Sequence, residues 1–252
     1  ASLVSCAPNR AIIPRMARVL LLDIGNSNAK FAFAHEFPDG VGSIPTRLLA
    51  ADPGVLPAAE TALVSCVVPH ALAALLAANR FPKVVVAGKD LPIPIKDLTS
   101  TPHSTGTDRL LCLLAASKKA RGGTILSCGT ALVFSGMRYR RFIGGYILPG
   151  PRLVWDALCS AIPTLPGPSE KLLLPPADPL GRSTSEAIST AVFFSTIAAI
   201  DDLTLKMMLA TDEPHNFITG GYAHLVNPYL DHKYSHYENM VLAGLAILAE
   251  SL

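Results

Sequence analysis

Two hydrophobic patterns alternate along this chain, and together they predict a succession of strands and helices. Short runs of apolar and β-branched residues predict strands at Val19–Leu22, Phe31–Ala34, Ala62–Val68 and Val84–Ala87. An alanine-rich stretch predicts a helix at His70–Asn79. Residues 91–103 form a proline-punctuated loop. Leucines at helical spacing from Leu110 then predict a helix whose last turn holds Lys118, Lys119 and Arg121 and which stops at Gly122-Gly123.

The same order of elements begins again after residue 122. Strands are predicted from Thr124, through Val133-Phe134 and at Phe217, where Thr219-Gly220-Gly221 forms a turn. After a proline-rich loop at 163–179, the capping box Ser183-x-x-Glu186 opens a helix that runs to about Leu209, and a last helix covers 239–252. Strands grouped before helices, twice over, predict a duplicated α/β fold with mixed sheets. We expect an extension at 1–16, an N-terminal half at 17–121 and a C-terminal half at 122–252.

Composition narrows the class of protein. Of the 252 residues, 50% are hydrophobic and 16% are charged, so the chain has enough apolar residues for a substantial core. A formal charge of +2 does not suggest a nucleic-acid or membrane surface. The five cysteines are scattered and odd in number, which is typical of a reduced, cytoplasmic protein, and no secretory signal is evident in the first fifteen residues.

Two glycine-containing turns carry the strongest chemical signal. Each follows an apolar strand: Asp23-Ile24-Gly25-Asn26-Ser27-Asn28 in the first half and Ser127-Cys128-Gly129-Thr130 in the second. Such turns present backbone N–H groups and short polar side chains to phosphate oxygens. Two of them facing each other would grip a nucleotide triphosphate in a central cleft. They are not equivalent, because the acid Asp23 in the first turn is matched by Ser127 in the second.

The pair Asp108-Arg109 and Lys30 each have a chemical and a purely structural interpretation, and Thr184 has a structural one. Asp108 could accept a proton from a substrate hydroxyl while Arg109 holds an anionic group, or the pair could simply begin a helix. Lys30 could offset phosphate charge or lie exposed on an edge strand. Thr184 fits a helix N-cap.

Five motifs in this order resemble the type III pantothenate kinase family. They are Asp23-Ile24-Gly25-Asn26-Ser27, Gly106-Thr107-Asp108-Arg109, Cys128-Gly129-Thr130-Ala131, Gly144-Gly145-x-Ile147-x-Pro149-Gly150 and Thr219-Gly220-Gly221. The resemblance covers nearly everything from Arg18 onward. It implies ribonuclease-H-like halves of the actin/hexokinase type, a homodimer, and ATP-dependent phosphorylation of pantothenate, the first step towards coenzyme A.

The resemblance also implies residue roles. The nucleotide would be bound by Asp23, Gly25, Asn26, Ser27, Asn28, Lys30, Gly129 and Thr130, with Asp23 approaching Mg²⁺ directly or through water. Asp108 would be the general base. The acceptor would contact Thr99, Gly106, Thr107, Asp108, Arg109 and, across the dimer interface, Thr184.

Four positions depart from the family pattern. Ser127 replaces an acid that helps to bind a monovalent cation, so that site is expected to be lost. Ser135 replaces another acid, Val133 a threonine, and Thr99 an aromatic residue of the acceptor pocket. Two alternatives therefore stay open: a catalytically weak homologue that binds ligands in a regulatory role, and a kinase for a related small hydroxylated acceptor. A sugar kinase of the same superfamily would explain the two turns but not the other motifs.

Overall fold

The computed structural model of the protein describes residues 19–167 and 173–252. The predicted extension at 1–16 and residues 168–172 of the proline-rich loop lie outside the described residues. The described part has twelve strands, β1 to β12 in chain order: Val19–Ile24, Asn28–Phe33, Gly42–Pro45, Thr61–Cys66, Lys83–Val86, Lys96–Asp97, Gly123–Cys128, Ala131–Arg138, Arg141–Gly144, Ile147–Pro149, Asn216–Thr219 and Ser235–His236. Its seven α-helices, α1 to α7, are Thr46–Ala51, Pro69–Ala77, Thr107–Ser117, Pro151–Ala161, Thr184–Thr211, Ala223–Val226 and Met240–Ala249.

The two sheets repeat one topology. The first has the order β3-β2-β1-β4-β5, with β1 antiparallel to β2 and parallel to β4. The second contains the order β9-β8-β7-β11-β12, with β7 antiparallel to β8 and parallel to β11. Order and direction agree strand by strand, which confirms the predicted duplication. In the second sheet, β6 pairs with β9 and β10 pairs with β8 as additions.

Strand β1 shows why both faces of a sheet are buried. Leu20, Leu22 and Ile24 pack into a cluster with residues of α1 and α2 on the outer face. Val19 and Leu21 point the other way, into the cluster formed by α3 and α7 between the two sheets. Helix α5 covers the outer face of the second sheet. Because β1 and its counterpart β7 are central strands, their carboxyl ends bring the two glycine turns towards each other.

The halves exchange elements across the predicted boundary at 121/122. Strand β6 precedes that boundary but pairs with β9 of the second sheet. Helix α7 comes from the C-terminal half but packs against α3 and β1. The boundary itself stays a prediction.

Two local predictions differ from the structure, and several elements of the fold were not predicted. Helix α3 ends at Ser117, so Lys118, Lys119 and Arg121 follow the helix instead of forming its last turn. Thr184 is not an N-cap: Ser183 occupies that position, its hydroxyl accepts from the Glu186 N–H, and Thr184 is the first helical residue. Helix α4 and strand β6 were not predicted, β6 because it is a two-residue strand inside a proline-rich loop.

Helix α5 is long and apolar enough, by length and composition alone, to cross a membrane. In the fold it packs against β7, β8 and α4 as a core helix does. All four cysteines in the described residues are free, and Cys112 and Cys128 are buried.

Candidate active site

A cleft of about 580 Å³ lies between the ends of the two sheets. Its lining includes every residue that the sequence predicts for nucleotide binding, namely Asp23, Gly25, Asn26, Ser27, Asn28, Lys30, Gly129 and Thr130. Asp108 and Ser127 line the same cleft. The fold therefore gathers residues from both halves that are about one hundred positions apart in the chain.

The two turns are built alike but carry different charges. In the first, the Gly25 N–H donates to the Asn28 carbonyl at 3.1 Å, and in the second the Gly129 N–H donates to the Ala131 carbonyl at 3.0 Å. In the first sheet, Asp23 lies opposite Lys30 of β2 and opposite Ser65 of β4 in the strand register. Ser127, at the equivalent place, pairs with Val133 and Thr219. The first turn thus has two charged side chains where the second has none.

Two hydrogen bonds join the halves across the cleft. The hydroxyl groups of Ser27 and Thr130, one from each turn, are 2.9 Å apart. The Lys30 ammonium donates to Asn239 Oδ1 at 2.9 Å. The surfaces predicted to hold phosphate groups therefore face each other at hydrogen-bonding distance.

The carboxyl groups of Asp23 and Asp108 line the cleft. Burial, followed by the negative charge of Asp108, raises the pKa of Asp23 to about 7, and Lys30 and Ser65 offset only part of this. Burial also raises the pKa of Asp108, against the charge of Arg109. Two carboxylates that disfavour each other's ionisation form a site where a cation is stabilising. Their oxygen atoms suit Mg²⁺, which proteins commonly bind through one or two carboxylates together with substrate phosphates.

Arg109 follows Asp108 directly but is used differently. Its Nε donates to the Ser135 hydroxyl at 3.1 Å and its Nη2 to the Phe134 carbonyl at 3.0 Å, and the guanidinium lies over the Phe142 ring. These contacts tie α3 to the second sheet. Arg109 is not among the described residues that line the cleft.

The other predicted acceptor residues also lie outside the lining of the cleft. The Thr99 N–H donates to Asp97 Oδ1 at 2.8 Å in the loop before α3. Gly106 is the N-cap of α3 and Thr107 its first residue. Thr184 is exposed at the start of α5. Of the predicted acceptor set, the structure brings only Asp108 into the cleft, and the roles of the others stay predictions.

Several residues of the cleft were not predicted as site residues. Arg152 and Asp156 line it from α4, joined by hydrogen bonds of 2.9 and 3.0 Å. Their i, i+4 spacing after Gly150-Pro151 is a signal that the sequence offers. Asn239 and Tyr222 also line the cleft. The contact of Asn239 with Lys30 spans 209 positions, so no local pattern could have shown it.

Comparisons with known proteins point to one family. The sequence profile of the type III pantothenate kinase family matches residues 19–206. The type III pantothenate kinase of Nitratidesulfovibrio vulgaris strain DP4 is 30% identical over 258 residues, covering 92% of this chain and 97% of that protein. That of Desulfovibrio desulfuricans is 28% identical, covering 85% and 90%.

Two solved structures show the same fold. One is a Campylobacter jejuni protein described as a Baf family transcriptional activator, with a TM-score of 0.61 and 20% identity, covering 92% of this chain and 98% of that one. The other is a ROK family glucokinase from Streptomyces griseus in complex with glucose and AMPPNP, with a TM-score of 0.54 and 11% identity, covering 93% and 99%. The fold is therefore of the actin/hexokinase type. The chain belongs to the type III pantothenate kinase family, a family of small-molecule kinases, and this membership implies the use of ATP.

Proposed function

We propose that the protein transfers the γ-phosphoryl group of ATP to a hydroxyl group of pantothenate or of a close relative. The observation that carries this proposal is the meeting of Asp23, Asp108 and both glycine turns in one cleft. Membership of the family supports the choice of acceptor.

Asp108 is the general base in this proposal. It lies in the first turn of α3, faces the cleft, and has a pKa raised by burial. A base is most effective when its pKa is near the working pH, so the raised pKa favours this role. Asp108 would accept the proton of the acceptor hydroxyl as the oxygen–phosphorus bond forms and the bond to the departing ADP breaks.

The two turns position the phosphates from opposite sides, through the backbone N–H groups of Asn26, Ser27 and Thr130. The Ser27 and Thr130 hydroxyls, which bond to each other here, would exchange that bond for phosphate oxygens. Mg²⁺, held by Asp23 directly or through water and by the phosphates, would neutralise charge on the transferred group. Phosphoryl transfer depends mainly on such positioning and charge compensation.

The acceptor site is completed by a second copy of the chain in this proposal. Only Asp108 of the predicted acceptor residues lies in the cleft, and Thr184 is exposed on α5, where it is accessible to a neighbouring subunit. Exposed apolar side chains on α4, directly after it and on α5 support a homodimer: Leu153, Leu158, Ile162 and Phe194.

The test is ADP release with ATP, Mg²⁺ and a panel of acceptors that includes pantothenate and simple sugars. We expect release that depends on pantothenate or a close relative. Release that depends only on a sugar would overturn the acceptor assignment.

One observation favours a second candidate, a ligand-binding protein with little catalytic activity. Ser127 and Val133 leave the second turn without charge, and both line the cleft. ATP binding without ADP release for any acceptor would support this candidate.

A further inference from the structure

Asn239 has an unusual backbone conformation for a residue with a side chain. It stands at the N-cap of α7 with φ 51° and ψ 44°, in the left-handed region. Glycine adopts this conformation freely, and asparagine is among the few other residues that tolerate it. A position of this kind often has a local function that offsets the strain.

The side chain of Asn239 does not perform the usual task of an N-cap. It makes no capping hydrogen bond to the first turn of α7. The Met240 N–H instead reaches the hydroxyl of Thr219, at the end of β11, at 3.5 Å. Since the side chain makes no capping bond, the amide group of Asn239 is available for another contact.

That contact is with Lys30. The Lys30 ammonium donates to Asn239 Oδ1 at 2.9 Å in a partly buried position. An ammonium only donates hydrogen bonds, so the oxygen of the amide must face it. Lys30 pairs with Asp23 in the β1–β2 ladder and lines the cleft beside the first turn, as Asn239 does.

We propose that Asn239 is a positioning residue that holds the Lys30 ammonium in place for the phosphate groups of the nucleotide. The inference rests on the proposed function, since it assigns Lys30 to phosphate binding. A lysine side chain has a flexible stem and loses conformational freedom when it is fixed in one geometry. One hydrogen bond to Asn239 fixes the ammonium before the nucleotide binds and leaves two of its protons for phosphate oxygens.

The contact also couples the two halves of the fold. Lys30 belongs to the first sheet, whereas Asn239 precedes a helix that follows the second sheet. Helix α7 packs against the first sheet, and the Met240 N–H next to Asn239 bonds to Thr219 of the second, so the position of Asn239 depends on both sheets. Asn239 thereby links the position of Lys30 to the geometry of the whole cleft.

Two substitutions separate this role from a purely structural one. Asn239→Gly removes the acceptor but keeps the left-handed backbone and relieves its strain, so the protein should be at least as stable as wild type. Asn239→Asp keeps an acceptor oxygen in a residue that also tolerates this conformation. Lys30→Met removes the ammonium itself.

The measurement is the dissociation constant of ATP with Mg²⁺, obtained by calorimetry, with urea denaturation as the control for folding. We expect Asn239→Gly to weaken ATP binding about three- to tenfold without loss of stability, and Asn239→Asp to restore most of the affinity. In the Lys30→Met background, Asn239→Gly should have no further effect, because both residues act through one ammonium.

Two results would overturn the inference while the proposed function stands. They are wild-type ATP affinity in Asn239→Gly, and an equal loss of affinity whether or not Lys30 is present. A wild-type protein that binds no ATP at all would overturn the proposed function and this inference with it.

Discussion

At the scale of single residues, the cleft depends on two carboxyl groups that the fold places in opposition. Burial is the first cause of the raised pKa of both Asp23 and Asp108, and the charge of Asp108 adds to the shift of Asp23. The two carboxyl groups can have different roles, because the residues around them differ. Asp23 pairs with Lys30 and Ser65 on adjacent strands, whereas Asp108 begins a helix.

The role of Asp108 as base is tested by Asp108→Asn. The amide has nearly the same shape but cannot accept the proton, so turnover should fall by roughly 10² to 10⁴, the usual range for a positioned base. The Mg²⁺–ATP dissociation constant should change much less. A variant with wild-type turnover would show that another group accepts the proton.

The raised pKa of Asp23 predicts a pH-dependent stability in the protein without metal and nucleotide. The folded-state pKa is about 7 and the usual pKa of an aspartate is 3.8, so between these values the folded state binds more protons than the unfolded state. The free energy of unfolding therefore falls as pH rises through this window. Asp23→Asn removes the effect, and its stability relative to wild type should grow by about 1–2 kcal/mol from pH 4 to pH 8, a value reduced for the water in the cleft.

Urea denaturation at several pH values measures this difference, with the exposed Asp39→Asn as the control for loss of one carboxyl group. A constant difference between Asp23→Asn and wild type across the range would contradict the assigned pKa.

Ser127 leads to a prediction about monovalent cations. The family resemblance implies an acid at this position, whereas here Ser127 pairs with the uncharged Val133 and Thr219. Oxygen ligands hold such cations largely through charge, so the site should be weak. Activity should change little when potassium is replaced by a bulky organic cation, and Ser127→Asp should introduce potassium dependence. Strong potassium activation of the wild type would identify another ligand for the cation.

At the scale of the elements, two glycines hold the second turn in place. A Cβ atom at Gly150 would lie 2.4 Å from the Gly129 carbonyl oxygen, and one at Gly220 would lie 2.4 Å from that of Cys128. Both distances are far below normal contact. The strand β11 and the start of α4 therefore approach the turn closely enough to fix its backbone.

Gly220→Ala tests this support, with Gly221→Ala as its matched control. Gly220 has φ +98° and a close backbone neighbour, while Gly221 has open space where its Cβ would be. Gly220→Ala should lose about 2 kcal/mol or more of the free energy of unfolding and weaken ATP binding, whereas Gly221→Ala should stay within about 0.5 kcal/mol of wild type. Equal effects of the two substitutions in urea denaturation would contradict this account.

Local chemistry determined which parts of the site could be predicted. Asp23, Gly25 and Thr130 lie where apolar strands end in turns, so the strand pattern located them. All three line the cleft. The capping box of Ser183 and Glu186 was predicted from its local pattern and is confirmed, whereas Thr184, which also suits an N-cap, is the first helical residue of α5. Helix α4 was missed although Trp155 and Cys159 lie at helical spacing and pack on one apolar face together with Val154.

Long-range contacts could not be predicted in this way. The sequence offers Arg109 for an anionic ligand but does not show that, in the fold, Ser135 and Phe134 accept two of its five N–H donors. The bond between Lys30 and Asn239 forms only because α7 returns to pack against the first sheet. Such contacts depend on the arrangement of whole elements, which spacing along the chain does not encode.

At the scale of the whole molecule, duplication explains how a cleft with two unequal sides arises. Both sheets keep the same strand order and present a turn at the same place. One copy carries Asp23 and Lys30, and the other carries Ser127 and Val133. The shared topology places the two turns on opposite sides of the cleft, while the residues substituted in each copy set the charge of each turn.

The homodimer gives the last prediction. Leu158 of α4 and Phe194 of α5 are 36% and 46% exposed on two helices that pack against each other, so they can contribute to one apolar surface for a second subunit. We expect a dimer by light scattering at micromolar concentration, and a monomer for the double variant Leu158→Asp/Phe194→Asp. Leu48→Asp is the matched control, because Leu48 is 44% exposed on α1 in the other half, and this variant should remain dimeric.

The same variants should also differ in activity. The residues proposed to bind the nucleotide lie within one chain, whereas Thr184 would contact the acceptor across the interface. The monomeric variant should still bind ATP but release little ADP in the presence of pantothenate. Full activity in a monomer would show that the acceptor site is complete within one subunit, and a monomeric wild type would rule out the dimer.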